Sequence, residues 1–112
     1  DYFISSTARR AFDTSIIFKD KLSPSSEIII EQDIYGGGIL DIANCIKKCP
    51  ESKLFVALYA HNPTIHYIAN SLSENNIYHF PTCSSVLCNV NISKWIDFSF
   101  DSVNLLSIII NE

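Results

Sequence analysis

Two residues in this sequence have the type and the setting to hold an anion, Arg10 and His61. A guanidinium presents a planar fork of donors that matches two phosphate oxygens at once and stays charged at any cellular pH. An imidazole donates a hydrogen bond, carries a positive charge or exchanges a proton near neutrality. Each of the two follows a short apolar run and opens a stretch with helical periodicity, so each is expected where a strand hands over to a helix. In open α/β sheets ligands bind beyond the carboxyl ends of strands, and the free N–H groups of a helix N-terminus suit an anion. The chemistry such a pair serves is stabilisation of phosphoryl oxygens during transfer, where charge must be held and little covalent work is asked of the protein. A lone histidine at a strand end is more often structural, so neither residue carries the reading without the other.

The elements that must position them are read from periodicity. Residues 54–60 are uncharged and mostly large and apolar, which predicts a strand buried on both faces of a parallel sheet. Asn62 is a good N-cap, Pro63 fits the first helical position, and Ile65, Ile68, Ala69 and Leu72 then repeat along one helix face. Residues 2–5 predict a short strand. Ser5-Ser6-Thr7 offers caps for a helix reaching about Asp20, with Ala8, Ala11, Phe12 and Ile16 on its inner face. Arg9 and Arg10 fall in the first turn of that helix, where a cation is disfavoured by roughly 0.3 to 1 kcal/mol and an anion would compensate. Arg9 is read as pointing into water and Arg10 as the anion ligand.

Between these junctions, residues 27–32 predict a strand built on Ile28-Ile29-Ile30, and residues 33–38 a turn. Gly36-Gly37-Gly38 lacks the spacing and the lysine of a P-loop, so it is read as a flexible lead-in to the next helix. That helix has Ile39, Ile42, Ala43 and Ile46 on one face and stops at Pro50. Downstream, residues 77–80, 85–90, 95–100 and 105–110 predict strands. The order β-α-β-α-β-α followed by a β-rich tail argues an α/β fold with a mainly parallel sheet.

Composition narrows the function classes. At 112 residues the chain is one small domain. Its net charge is -4, with 8 basic residues scattered among 12 acidic ones, which leaves neither a nucleic-acid footprint nor a basic membrane-binding face. No apolar run approaches the roughly 18–20 residues of a membrane span, and a cytoplasmic location is expected. Cys45, Cys49, Cys83 and Cys88 are read as free thiols, and their spacing is poor for zinc, so no metal or cofactor is expected.

Ser6-Thr7-Ala8-Arg9-Arg10-Ala11-Phe12-Asp13-Thr14 resembles the S-P-A-x-R-A-x-x-T segment of the histidine phosphatase superfamily, and Ala60-His61-Asn62-Pro63 resembles its G-H-N-P or S-H-x-P segment. The two lie in the family's order. Tyr35 and Phe80-Pro81-Thr82 bring the chain nearest to the small phosphohistidine phosphatases (SixA-like) within the phosphoglycerate mutase-like group. Thr7 in place of proline and Ala60 in place of glycine or serine are departures.

The resemblance implies a three-layer α/β/α fold with a mainly parallel central sheet. It implies that Arg10 binds the phosphoryl group and His61 hydrogen-bonds it as charge transfers, with Ser6 and Asn62 completing the phosphate-binding set. Such enzymes use a nucleophilic histidine from an R-H-G motif at the end of their first strand and pass through a phosphohistidine intermediate. This sequence has no R-H-G; His66 is read as helix surface and His79 as a strand or turn residue. With no methionine and Asp at position 1, the chain is expected to be an N-terminally incomplete piece. The absent first strand would then belong in the middle of the sheet, leaving residues 2–5 and 54–60 with unpaired, aggregation-prone edges.

Glu31 and Asp33 are the nearest candidates for a general acid, but they are read as solvated loop carboxylates. A missing acid matters least for an imidazole leaving group, which favours phosphohistidine. The implied activity is phosphoryl hydrolysis, with a phosphorylated protein or a small phosphorylated substrate as partner. The alternatives are a non-catalytic phosphate- or phosphoprotein-binding module and a structural or interaction domain.

Overall fold

The computed structural model describes residues 2–61, 64–73 and 84–110. It is a mixed α/β fold with three helices, a three-stranded parallel sheet and a separate antiparallel pair. Strand β1 (Tyr2–Ser5) is central, with β2 (Ile28–Ile30) on one side and β3 (Val56–Tyr59) on the other, both parallel to it. Ile4 pairs with Ile29 and with Leu58 and is 1% exposed.

The strand that is buried on both faces is therefore β1, whereas 54–60 behaves differently from expectation. Leu54 is 88% exposed, Phe55 is exposed, and the four residues of β3 are all half-buried. An uncharged run suits a central or an outer strand equally; among the described residues β3 pairs along one edge only. The open edge expected beside β1 is also not there. Its ladder to β3 runs on at both ends, where Tyr2 N–H donates to the Phe55 carbonyl at 3.1 Å and Ser6 N–H to the Tyr59 carbonyl at 3.0 Å.

Successive strand residues face opposite ways, so the sheet sorts the helices. Helix α1 (Arg9–Leu22) covers the face carrying Phe3 and Tyr59, whose rings stack at 6.4 Å, with Phe18 tilted against Tyr59 at 5.9 Å. Its most buried positions are Ala11 and Ser15, which let the helix approach closely; Phe12 and Ile16 are half-buried. The Ser15 hydroxyl is satisfied by the Phe12 carbonyl at 2.6 Å.

Helix α2 (Ile39–Lys47) lies on the other face. Its Ile42, Ala43, Cys45 and Ile46 form one core with Ile4, Ile34, Phe98 and Ile68 of helix α3 (Thr64–Leu72). Asp41 caps α2 by accepting the Gly38 N–H at 2.8 Å.

In the tail, β4 (Ser85–Val90) pairs antiparallel with β5 (Val103–Ile109). The strand expected over 95–100 is replaced by two 3-10 turns, Trp95–Asp97 and Phe100–Ser102. Side chains and turns take up the hydrogen bonds that a ladder would need. The Trp95 N–H donates to Glu51 Oε1 at 2.9 Å, its indole N–H donates to the Lys53 carbonyl at 2.7 Å, and Phe98 is buried edge-on to Phe100. The strand expected over 77–80 lies outside the described residues.

This burial pattern predicts unequal costs for two truncations. Ile4→Ala removes a side chain paired on both sides and should cost about 2–5 kcal/mol, whereas Leu54→Ala should stay within about 0.5 kcal/mol. Urea unfolding midpoints compare the two directly, and equal losses would contradict the arrangement.

Candidate functional site at the carboxyl ends of β1 and β3

The chain runs outward from β1 to β2 and then crosses back to the far side of β1 to form β3, so the strand order reverses between β1 and β3. In an open parallel sheet the crevice at such a reversal, beyond the carboxyl ends of the strands, is where ligands bind. After β1 the chain passes through Ser6, Thr7 and Ala8 into the first turn of α1, which carries Arg9 and Arg10. After β3 it passes through Ala60 to His61, whose carbonyl accepts the Ile65 N–H of α3 at 3.4 Å. The Ser6 to Tyr59 backbone bond ties the two junctions together.

The two arginines differ. Arg9 makes a loose pair with Asp13 at 3.7 Å, and its side chain is 93% exposed, in keeping with the solvent-facing role expected of it. Arg10 is exposed, and its guanidinium has no acceptor among the described residues. Neither α1 nor α3 has an acidic residue in its first turn, whereas α2 has Asp41. Of the three helices, the two that start beside the strand-order reversal keep their positive ends uncompensated by a carboxylate of their own first turn.

His61 is half-buried, and its Nδ1 is fully buried with no hydrogen-bond partner among the described residues. The Tyr35 ring packs against the imidazole at 5.1 Å and 45°. The neighbouring loop is pinned to α3, because Thr64 Oγ1 donates to the Gly37 carbonyl at 3.0 Å. The glycine run is thus a fitted part rather than the flexible lead-in expected of it. Gly36 sits at φ +73°, and a Cβ on Gly37 would collide with the Asp33 carbonyl oxygen.

Ser6 is fully buried, and its hydroxyl oxygen accepts the Ala8 N–H at 3.2 Å, bracing the turn into α1 without forming a helix cap. A cavity of about 310 Å³ lined by Ser6, Thr7, Arg9, Phe12 and Ile30 opens here toward β2; neither Arg10 nor His61 lines it. Asn62 and His79 lie outside the described residues. His66 is half-buried on α3.

Glu31 is not a solvated loop carboxylate. Lys48 Nζ donates to its Oε2 at 3.2 Å, the Cys45 thiol donates to the same oxygen at 3.7 Å, and its side chain is 17% exposed. Asp33 is exposed. Burial first, and Glu31 second, push the Cys45 thiol up to about 11, and burial does the same for Cys49. Among the described residues no three His, Cys, Asp or Glu side chains gather as a metal site.

Compared with known protein families, curated proteins and solved structures, the chain matches none. No helix among the described residues is long and apolar enough to cross a membrane.

The pinned loop predicts that Gly37→Ala costs about 1–3 kcal/mol through overpacking and Thr64→Val about 0.5–1.5 kcal/mol through the lost bond, both read by urea unfolding. With pKa values near 11, Cys45 and Cys49 hold only about one thiolate in a thousand at pH 8. Both should resist iodoacetamide in the folded chain and react once it is unfolded; mass spectrometry of labelled peptides distinguishes the two states.

Proposed function

We propose that this chain is the phosphoryl-binding part of a cytoplasmic phosphatase of the histidine phosphatase type, acting on phosphohistidine carried by a protein. The observation that carries the reading is the direct pairing of β1 with β3, which sets the Arg10 and His61 junctions side by side at one end of the sheet. The missing acceptor at Arg10 supports it, because an oxyanion would satisfy that guanidinium. A three-layer α/β/α arrangement of the histidine phosphatase kind is part of the proposal; α1 on one sheet face and α2 with α3 on the other support it.

In this mechanism the Arg10 fork holds two phosphoryl oxygens and His61 donates to the same group; the resemblance adds Ser6 and Asn62 to the set. A histidine nitrogen from an R-H-G segment not contained in these 112 residues attacks phosphorus; because β1 and β3 pair directly, that segment would have to reach the site from outside their ladder rather than as a strand between them. The bond from phosphorus to the substrate imidazole breaks, and that nitrogen takes a proton from solvent. Water then attacks the phosphohistidine, releasing inorganic phosphate and restoring the nucleophile. Arg10 and His61 stabilise the oxygens in both steps. The engagement of Glu31 with Lys48 supports a leaving group that needs no protein acid. By itself the chain binds phosphate and hydrolyses nothing.

Titration with inorganic phosphate, followed by NMR of the His61 ring and the Arg10 side chain, tests the reading. Arg10→Gln should weaken binding at least tenfold, about 1.4 kcal/mol, and in the longer protein it should lower kcat/KM roughly 10²–10³-fold. Phosphate shifts that map elsewhere and survive both Arg10→Gln and His61→Ala would overturn it.

A further inference from the structure

We propose that Tyr35 is a positioning residue for His61, and that the loop from Tyr35 to Gly38 sets how the imidazole is presented to a phosphoryl group. This builds on the reading of Arg10 and His61 as a shared anion cradle. A working imidazole is ordinarily oriented by a hydrogen bond to its second ring nitrogen. Here Nδ1 is buried and has no such partner among the described residues, so ring packing must do the orienting. Tyr35 supplies it at 5.1 Å and 45°, inside the range of attractive aromatic pairs.

Tyr35 is 61% exposed, so burial in the core does not account for its placement. The backbone around it is fixed instead. Gly36 takes a left-handed conformation, Gly37 has no room for a Cβ, and the Gly37 carbonyl is held by Thr64 in the first turn of the helix that follows His61. The loop and the imidazole are thereby referenced to one another through α3. The Tyr35 hydroxyl has no hydrogen-bond partner among the described residues, so the ring and not the oxygen does the positioning.

The test uses the full chain carrying Tyr35→Phe, Tyr35→Ala or Tyr35→Leu, the last keeping apolar bulk without a ring current. In ligand-free protein, the NOE distances from the His61 ring protons to neighbouring backbone protons, which do not depend on the ring current of Tyr35, should stay as they are in Y35F and change in Y35A and Y35L. Inorganic phosphate should bind Y35F as it binds the wild type, and Y35A and Y35L about five- to tenfold more weakly. Urea unfolding run alongside checks that all three variants are folded. Unchanged NOE distances from the His61 ring protons in both Y35A and Y35L would overturn the positioning role, as would phosphate affinity unchanged by either variant. A wild-type chain that binds no phosphate would overturn the cradle instead, and the ring-proton comparison would still decide the contact.

Discussion

The fold depends on the backbone ladder between β1 and β3. Four paired positions, continued by Tyr2 to Phe55 and Ser6 to Tyr59, join segments separated by two helices and a strand. Closing so long an excursion has a substantial entropic cost, which burial of Phe3 and Ile4 on opposite faces of the same strand offsets. Every other placement is referenced to this pair. Phe3 and Tyr59 fix α1, Ile4 fixes α2 and α3, and the carboxyl ends of the two strands place the β1–α1 and β3–α3 junctions next to one another.

The polar groups around that ladder are of two kinds. Ser5, Ser6 and Ser15 are fully buried, and each is answered locally, by the Ser6 carbonyl, the Ala8 N–H and the Phe12 carbonyl. Small hydroxyl residues therefore line the β1–α1 contact without leaving an orphan. Nδ1 of His61 stands apart from them. A buried polar atom with no partner costs on the order of 1–3 kcal/mol, and a native structure that keeps one generally has a use for it. Fully buried, that atom is out of reach of a ligand from solvent, and what its surroundings supply is the Tyr35 ring packed on the imidazole.

Much of the architecture was legible in the sequence. The 3.6-residue periodicity locates the three helices of the described residues, and residues 85–90 predict the strand they form. What failed depended on distant partners. An uncharged run at 54–60 cannot say whether one or both edges will be paired, and aromatic alternation at 95–100 resembles a strand until Glu51 and Lys53 claim its donors. At the site, residue type and junction marked Arg10 and His61. Glu31 was misjudged because Lys48 lies 17 residues away, and the Gly37–Thr64 bond spans 27. Neither contact leaves a local signal.

The electrostatics of the reversal point run against those of the whole chain. The protein carries a net charge of -4, so at long range a phosphate is repelled, an effect screened beyond about 8–10 Å at physiological salt. Locally the balance inverts. Two helix N-termini without first-turn carboxylates start beside the strand-order reversal, while the third helix start is answered by Asp41. Selection at such a place rests on short-range geometry rather than on steering. Under the proposed function an anion there would be recognised by how well its oxygens meet fixed donors, and those donors are only as fixed as the β1–β3 ladder and the loop that leans on His61.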